Sequence, residues 1–106
     1  MSTYRLKNLL SPKSVALVGA SPRQASVGRA VLENIRKAEF KGAFGLVNPR
    51  YAEICGIAAV GSLDELPFVP ELVVITAPAQ QVPAIIDQAG RRGSAGALIV
   101  SAGLGH

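Results

Sequence analysis

The chain has 106 residues, a formal net charge of +4, 49% hydrophobic and 17% charged side chains; it has enough apolar material for one buried core and is too hydrophobic for a disordered polymer. No Trp, two Tyr and three Phe leave almost no stacking platform for single-stranded nucleic acid, and apolar runs of four or five residues are far too short to span a membrane. A single cysteine, Cys55, excludes an internal disulfide and a cysteine-based metal site.

Met1 to Arg5 carries no signal-peptide apolar run, so a soluble, cytoplasmic location is expected, without membrane or nucleic-acid partners. The charge is uneven. Residues 1–50 hold nine Lys/Arg and two Glu, whereas residues 51–106 hold two Arg and five acids. The basic residues are dispersed rather than clustered, which points to a small anionic ligand near the N-terminal half rather than to nucleic acid.

Leu6, Leu9 and Leu10 share one face of a short helix over 4–10, stopped by Ser11-Pro12-Lys13. Val15 to Val18 is apolar at every position, as in a strand covered on both faces. Val27, Val31, Leu32, Ile35 and Ala38 then recur at helical spacing, with Arg29, Glu33, Arg36 and Lys37 outward. Glu33 and Lys37 are placed for an i,i+4 pair worth about 0.2–0.5 kcal/mol, and Lys41-Gly42 ends the helix. Phe44 to Val47 reads as a second strand closed by Asn48-Pro49, and Ile57 to Val60 as a short edge strand.

Ser62 and Glu65 have capping-box spacing for one helical turn, limited by Pro67 and Pro70. Leu72 to Ile75 is a further buried strand. Val82, Ile85, Ile86 and Ala89 form a second helical stripe, with Pro83 in its first turn, Arg91 and Arg92 in its last and Gly93 as its stop. Ala97 to Val100 is the last strand. The alternation predicts an α/β, Rossmann-like, doubly wound parallel sheet of about five strands with flanking helices, forming one domain over 1–106. A sheet of this kind normally sends another helix back after such a strand. The expectation is therefore the N-terminal part of a longer multidomain protein, truncated at its C-terminus. An apolar face left open would serve assembly with the rest of the parent chain or with a second copy.

Function centres on the stretch from Val15 to Arg29, a strand, a loop bearing glycine and serine, and the first turn of a helix. Unpaired N–H groups at a helix N-terminus and the helix dipole make such a loop a phosphate cradle. The dinucleotide fingerprint wants glycine at the first, third and sixth loop positions; here they are Gly19, Ser21 and Gln24, and the next glycine is Gly28. The longer loop offers Ser21 and Ser26 hydroxyls and the Arg23 guanidinium as phosphate ligands, beside Ala20 and Val27. Where an NAD site carries an acid after the second strand, this chain has Asn48-Pro49-Arg50. A cation there suits an adenosine whose ribose bears a phosphate, which fits both NADP and coenzyme A. Thr76-Ala77-Pro78 and Ser101-Ala102-Gly103 end the two later strands in small residues that would let an extended ligand pass close to backbone. Catalytic equipment is sparse: His106 has no orienting neighbours in sequence, Cys55 has no basic neighbour, and no carboxylate pair or metal-ligand spacing occurs. The segment reads as one that binds rather than reacts.

Leu9 to Ser21, Val47-Asn48-Pro49-Arg50-Tyr51, Ser62-Leu63 to Leu66-Pro67 and Ser101-Ala102-Gly103 resemble, in order and over nearly the whole chain, the N-terminal CoA-binding domain of the NDP-forming acyl-CoA synthetases. That family includes ADP-forming acetate–CoA ligases and ligase-like protein lysine acetyltransferases. The resemblance implies that the loop from Gly19 to Gly28 holds CoA phosphates and that Arg50 lies near the nucleotide end. It also implies that Thr76-Ala77-Pro78 lies along the pantetheine arm and Ser101-Ala102-Gly103 near the thiol. The family's phosphohistidine and its site for ATP or ADP with Mg belong to other domains. Three readings stay open: the CoA or acyl-CoA module of a ligase or acetyltransferase, an NADP-binding oxidoreductase domain, and a stand-alone CoA-sensing module.

Overall fold

The computed structural model describes residues 13–19, 27–38 and 40–100. The expected helix over 4–10, the centre of the glycine-serine loop and the segment from Ser101 to His106 lie outside them.

The described chain runs β1 (Ser14–Val18), α1 (Val27–Lys37), β2 (Ala43–Val47), β3 (Glu53–Ile54), β4 (Ile57–Val60), β5 (Leu72–Ile75), α2 (Val82–Arg92) and β6 (Gly96–Ile99), with 3-10 turns at Leu63–Glu65 and Ala79–Gln81. The sheet order is β3-β4-β2-β1-β5-β6. All pairings are parallel except that of β3 with β4. β1 is central, with Val15 opposite Phe44 on one side and Leu72 on the other. Its apolar run is explained by the two-sided cover. Val15 and Leu17 pack with Leu32, Leu46, Ile54 and Val74 on the α1 face. Ala16 and Val18 pack with Val47, Leu63, Leu66, Val73, Ile75 and Ala89 on the α2 face.

Several expectations are corrected in detail. The described residues form six strands where about five were expected, because Glu53–Ile54 forms a two-residue antiparallel strand and takes the edge position assigned to Ile57–Val60. The hairpin turns through Cys55 and Gly56, with φ of +53° and +83°, the backbone that a two-residue turn needs to match the sheet twist. Glu33 pairs backwards with Arg29 (3.0 Å), not forwards with Lys37. Ala38 lies exposed beyond the helix end, and Ile86 is 43% exposed on α2.

The turn at Leu63 is present, but its capping differs from the predicted box. Ser62 meets Glu65 side chain to side chain (3.3 Å), while the Leu63 N–H donates to Oε1 of Gln88 on α2 (3.1 Å). Arg92, read as a dipole complement, binds this turn to α2 as well. Its guanidinium donates to the carbonyls of Asp64 (3.1 Å), Leu66 (3.3 Å) and Phe68 (2.8 Å). Gly93 closes α2 as expected, with Ser94 N donating to the Ala89 carbonyl.

Candidate functional site

In a parallel sheet whose connections leave the central strands toward opposite faces, a crevice opens at their carboxyl ends. Here β1 leads to α1 on one face and β5 leads to α2 on the other. A groove of about 310 Å³ lies at that point, lined by Gly19 from β1, Asn48, Pro49, Arg50 and Tyr51 from β2, and Thr76, Ala77, Pro78 and Gln81 from β5, floored by Val18 and Val47.

The floor of the groove is a continuation of the parallel ladder by one peptide. Gly19 N donates to the Val47 carbonyl (2.9 Å), Asn48 N to Val60 (2.8 Å), Thr76 N to Val18 (2.8 Å) and Val100 N to Ile75 (2.9 Å). Thr76 also donates its hydroxyl to the Val18 carbonyl (3.1 Å), so that side chain secures the β1–β5 junction from the groove side. Gly19 is required there on two counts. Its φ is +98°, and a Cβ would lie 2.7 Å from Ala77 N and 2.9 Å from Thr76 Oγ1. The absence of that carbon lets the first loop residue rest against the β5 corner.

The β2 corner is built differently. The Arg50 N–H donates to Asn48 Oδ1 (2.8 Å), a turn in which an Asn side chain stands in for a backbone carbonyl. Arg50 is left exposed. The other described arginines are engaged: Arg29 with Glu33, Arg91 with Asp87, Arg36 with the Cys55 carbonyl, and Arg92 with the turn after β4. Among the described residues, only the Arg50 guanidinium of the five has no protein acceptor, and it borders the groove.

The profile of the CoA binding domain family matches residues 13–105. The chain belongs to the CoA-binding domain family. This CoA-binding domain is 38% identical over 98 residues to the ADP-forming acetate–CoA ligase I of Archaeoglobus fulgidus and 38% identical over 100 residues to the ADP-forming acetate–CoA ligase of Methanocaldococcus jannaschii. The matches cover 92% and 94% of the chain and 14% of either ligase. Among solved structures it is similar to the dinucleotide-forming acetyl-coenzyme A synthetase 1 of Candidatus Korarchaeum cryptofilum in complex with phosphate and ADP. That match has a TM-score of 0.84 at 29% identity over 93% of this chain and 21% of the other. The CoA-binding domain is thus homologous to ADP-forming acyl-CoA ligases, and its Rossmann-like fold is theirs.

Of the predicted site residues, Gly19, Asn48, Pro49, Arg50, Thr76, Ala77 and Pro78 converge on the one groove. Gly28 is buried in the first turn of α1, and Val27 opens that helix. Ala20, Ser21, Arg23, Ser26, Ser101, Ala102 and Gly103 lie outside the described residues. Tyr51 and Gln81 line the groove without having been singled out as site residues. Tyr51 directly follows the Asn-Pro-Arg turn, which was a usable signal. Gln81 is brought to the groove by the 3-10 turn between Pro78 and α2; the only hint of that turn in the sequence is the pair of prolines at 78 and 83. Cys55 sits half-buried in the β3–β4 turn, and His106 is outside the described residues.

Proposed function

We propose that this domain binds CoA or acyl-CoA in the groove at the carboxyl ends of β1, β2 and β5, as the CoA-handling part of an ADP-forming acyl-CoA ligase. The observation that carries the reading is Arg50: a guanidinium without a protein acceptor among the described residues, beside the corner where an adenosine ribose lies in Rossmann-like sheets. The groove fits part of such a ligand. It offers a cation and polar backbone at the β2 corner and a narrow, small-residue wall at the β5 corner, where an extended chain can run close to the strands. The glycine-serine loop from Gly19 to Gly28, with Ser21, Arg23 and Ser26, is assigned to the phosphates, and Ser101-Ala102-Gly103 to the thiol end.

The bound CoA supplies the thiol that accepts an acyl group. The residues of this domain bind and orient it, and the acyl activation, with ATP or ADP and Mg, is assigned to other domains of the parent chain. The ligases that the chain resembles support that parentage; the protein acetyltransferase alternative is separated from it by assaying the parent chain for each activity. The test of the domain itself is calorimetric titration with CoA, dephospho-CoA, NADP and NAD. The expected order is CoA above dephospho-CoA, with both dinucleotides weaker. NADP binding well above CoA would instead establish the oxidoreductase reading.

A further inference from the structure

Resting on the reading of the groove as a CoA site, we infer that Gln81 is a specificity-determining residue that reads the amide-bearing arm of the ligand. The polar groups around the groove divide by strand. At the β2 corner the Asn48 Oδ1 is already an acceptor for Arg50 N, and Arg50 is a pure donor and cation. At the β5 corner the Thr76 hydroxyl proton is given to the Val18 carbonyl, and Ala77 and Pro78 carry no polar side-chain atoms. The Thr76 oxygen can still accept, which leaves Gln81 as the one described side chain on the β5 side of the groove with a free hydrogen-bond donor as well as a free acceptor. It is exposed, its backbone N–H is tied to the Pro78 carbonyl (2.9 Å), and its side-chain amide makes no hydrogen bond to the described residues.

A primary amide presents two donors and an acceptor. Its natural complement is a secondary amide, which offers one of each, rather than a phosphate, which only accepts. β2 and β5 flank β1, so the two corners are two strand spacings apart, about 10 Å. A ligand anchored at Arg50 therefore reaches Gln81 only with a part well removed from its ribose phosphate. In CoA that reach takes in the adenine edge and the pantetheine arm, and the small-residue wall of Ala77 and Pro78 beside Gln81 suits the slender arm, which contains two secondary amides. The 3-10 turn at Ala79–Gln81 and the Pro83 that follows in the first turn of α2 fix the backbone at this position, which lowers the ordering cost of the contact.

The test is titration of wild type, Gln81→Ala and Gln81→Glu with CoA and with adenosine 3′,5′-bisphosphate, which keeps the ribose phosphate and lacks the arm. Both variants should weaken CoA by about three- to tenfold, the range of one neutral hydrogen bond, and leave the bisphosphate within about twofold of wild type. Their melting temperatures should match wild type, since the side chain packs no core. Equal loss for CoA and the bisphosphate, or no loss for either, would overturn the role of Gln81 while leaving the CoA site in place. Failure of the wild type to bind CoA would remove the site and this inference together.

Discussion

The two corners of the groove solve the same geometric problem by opposite means. At the β5 corner the chain is closed up to the limit of atomic contact: Thr76 gives both its N–H and its hydroxyl to one carbonyl of β1, and Gly19 has no room for a Cβ. At the β2 corner the turn is closed by a side-chain acceptor, Asn48 Oδ1, and by a long backbone bond from Tyr51 N to the Asn48 carbonyl (3.4 Å), and the Arg50 side chain is exposed. The first corner belongs to the fold as much as to the site, because it joins the central strand to its neighbour. The second can change without disturbing the core. Substitutions at β5 should therefore be read first as changes in stability, and those at β2 as changes in ligand affinity.

The sharpest break is Gly19→Val. Positive φ and contact with Ala77 N and Thr76 Oγ1 should together cost about 2–5 kcal/mol, lowering the thermal midpoint by more than about 10 °C. A midpoint within a few degrees of wild type would mean that the corner is not tight. Next is Arg50→Ala, expected to weaken CoA by about five- to tenfold through loss of a charge-assisted hydrogen bond discounted for exposure, with dephospho-CoA and the melting temperature unchanged. Equal loss for both ligands would detach Arg50 from the ribose phosphate.

Thr76→Val removes the hydroxyl bond to Val18 and should cost about 1 kcal/mol in urea denaturation; Thr76→Ser, which keeps the hydroxyl, should lie within about 0.5 kcal/mol of wild type. If Thr76→Val instead left stability intact and lowered CoA affinity, the hydroxyl would belong to the ligand and the contrast between the corners would fail. The smallest effect is expected at the far edge of the sheet. Leu98 and Ile99 are 48% and 51% exposed, so Leu98→Lys should change stability by no more than about 0.5 kcal/mol, measured by the same denaturation.

Much of the fold was legible because its strands are short apolar runs and its helices carry stripes at helical spacing. β1, β2, β5 and α2 lie within a residue or two of where the pattern put them, and α1 starts at Val27 as expected but ends at Lys37, short of the Lys41-Gly42 stop. The residues that missed are those whose state depends on neighbours remote in sequence. β5 and β6 pair in register and are both apolar apart from Gly96, yet β5 is buried and β6 is largely exposed, because β5 side chains join the core clusters on both faces of the sheet and none of Gly96–Ile99 joins either. The capping of the Leu63 turn by Gln88 and the clamp from Arg92 reach across about 25 residues, beyond any local rule. The two-residue β3 was missed because Cys-Gly is not a usual turn pair.

For the site, the sequence by itself determined the chemistry available: a loop with Ser21 and Gln24 in place of two glycines and a further hydroxyl at Ser26, a cation where an acid would select NAD, small residues at the strand ends. Those are properties of side chains in order along a strand-loop-helix pattern, and they hold whatever the tertiary arrangement. Only the tertiary structure decided which of them meet. It brought Arg50 and Thr76 to one groove through the parallel pairing of β2 and β5 with β1, gave Arg36 and Arg92 backbone carbonyls remote in sequence, and turned Gln81 toward the groove through a 3-10 turn ahead of α2. The physical reason is that strand order, not sequence distance, sets proximity at the end of a parallel sheet.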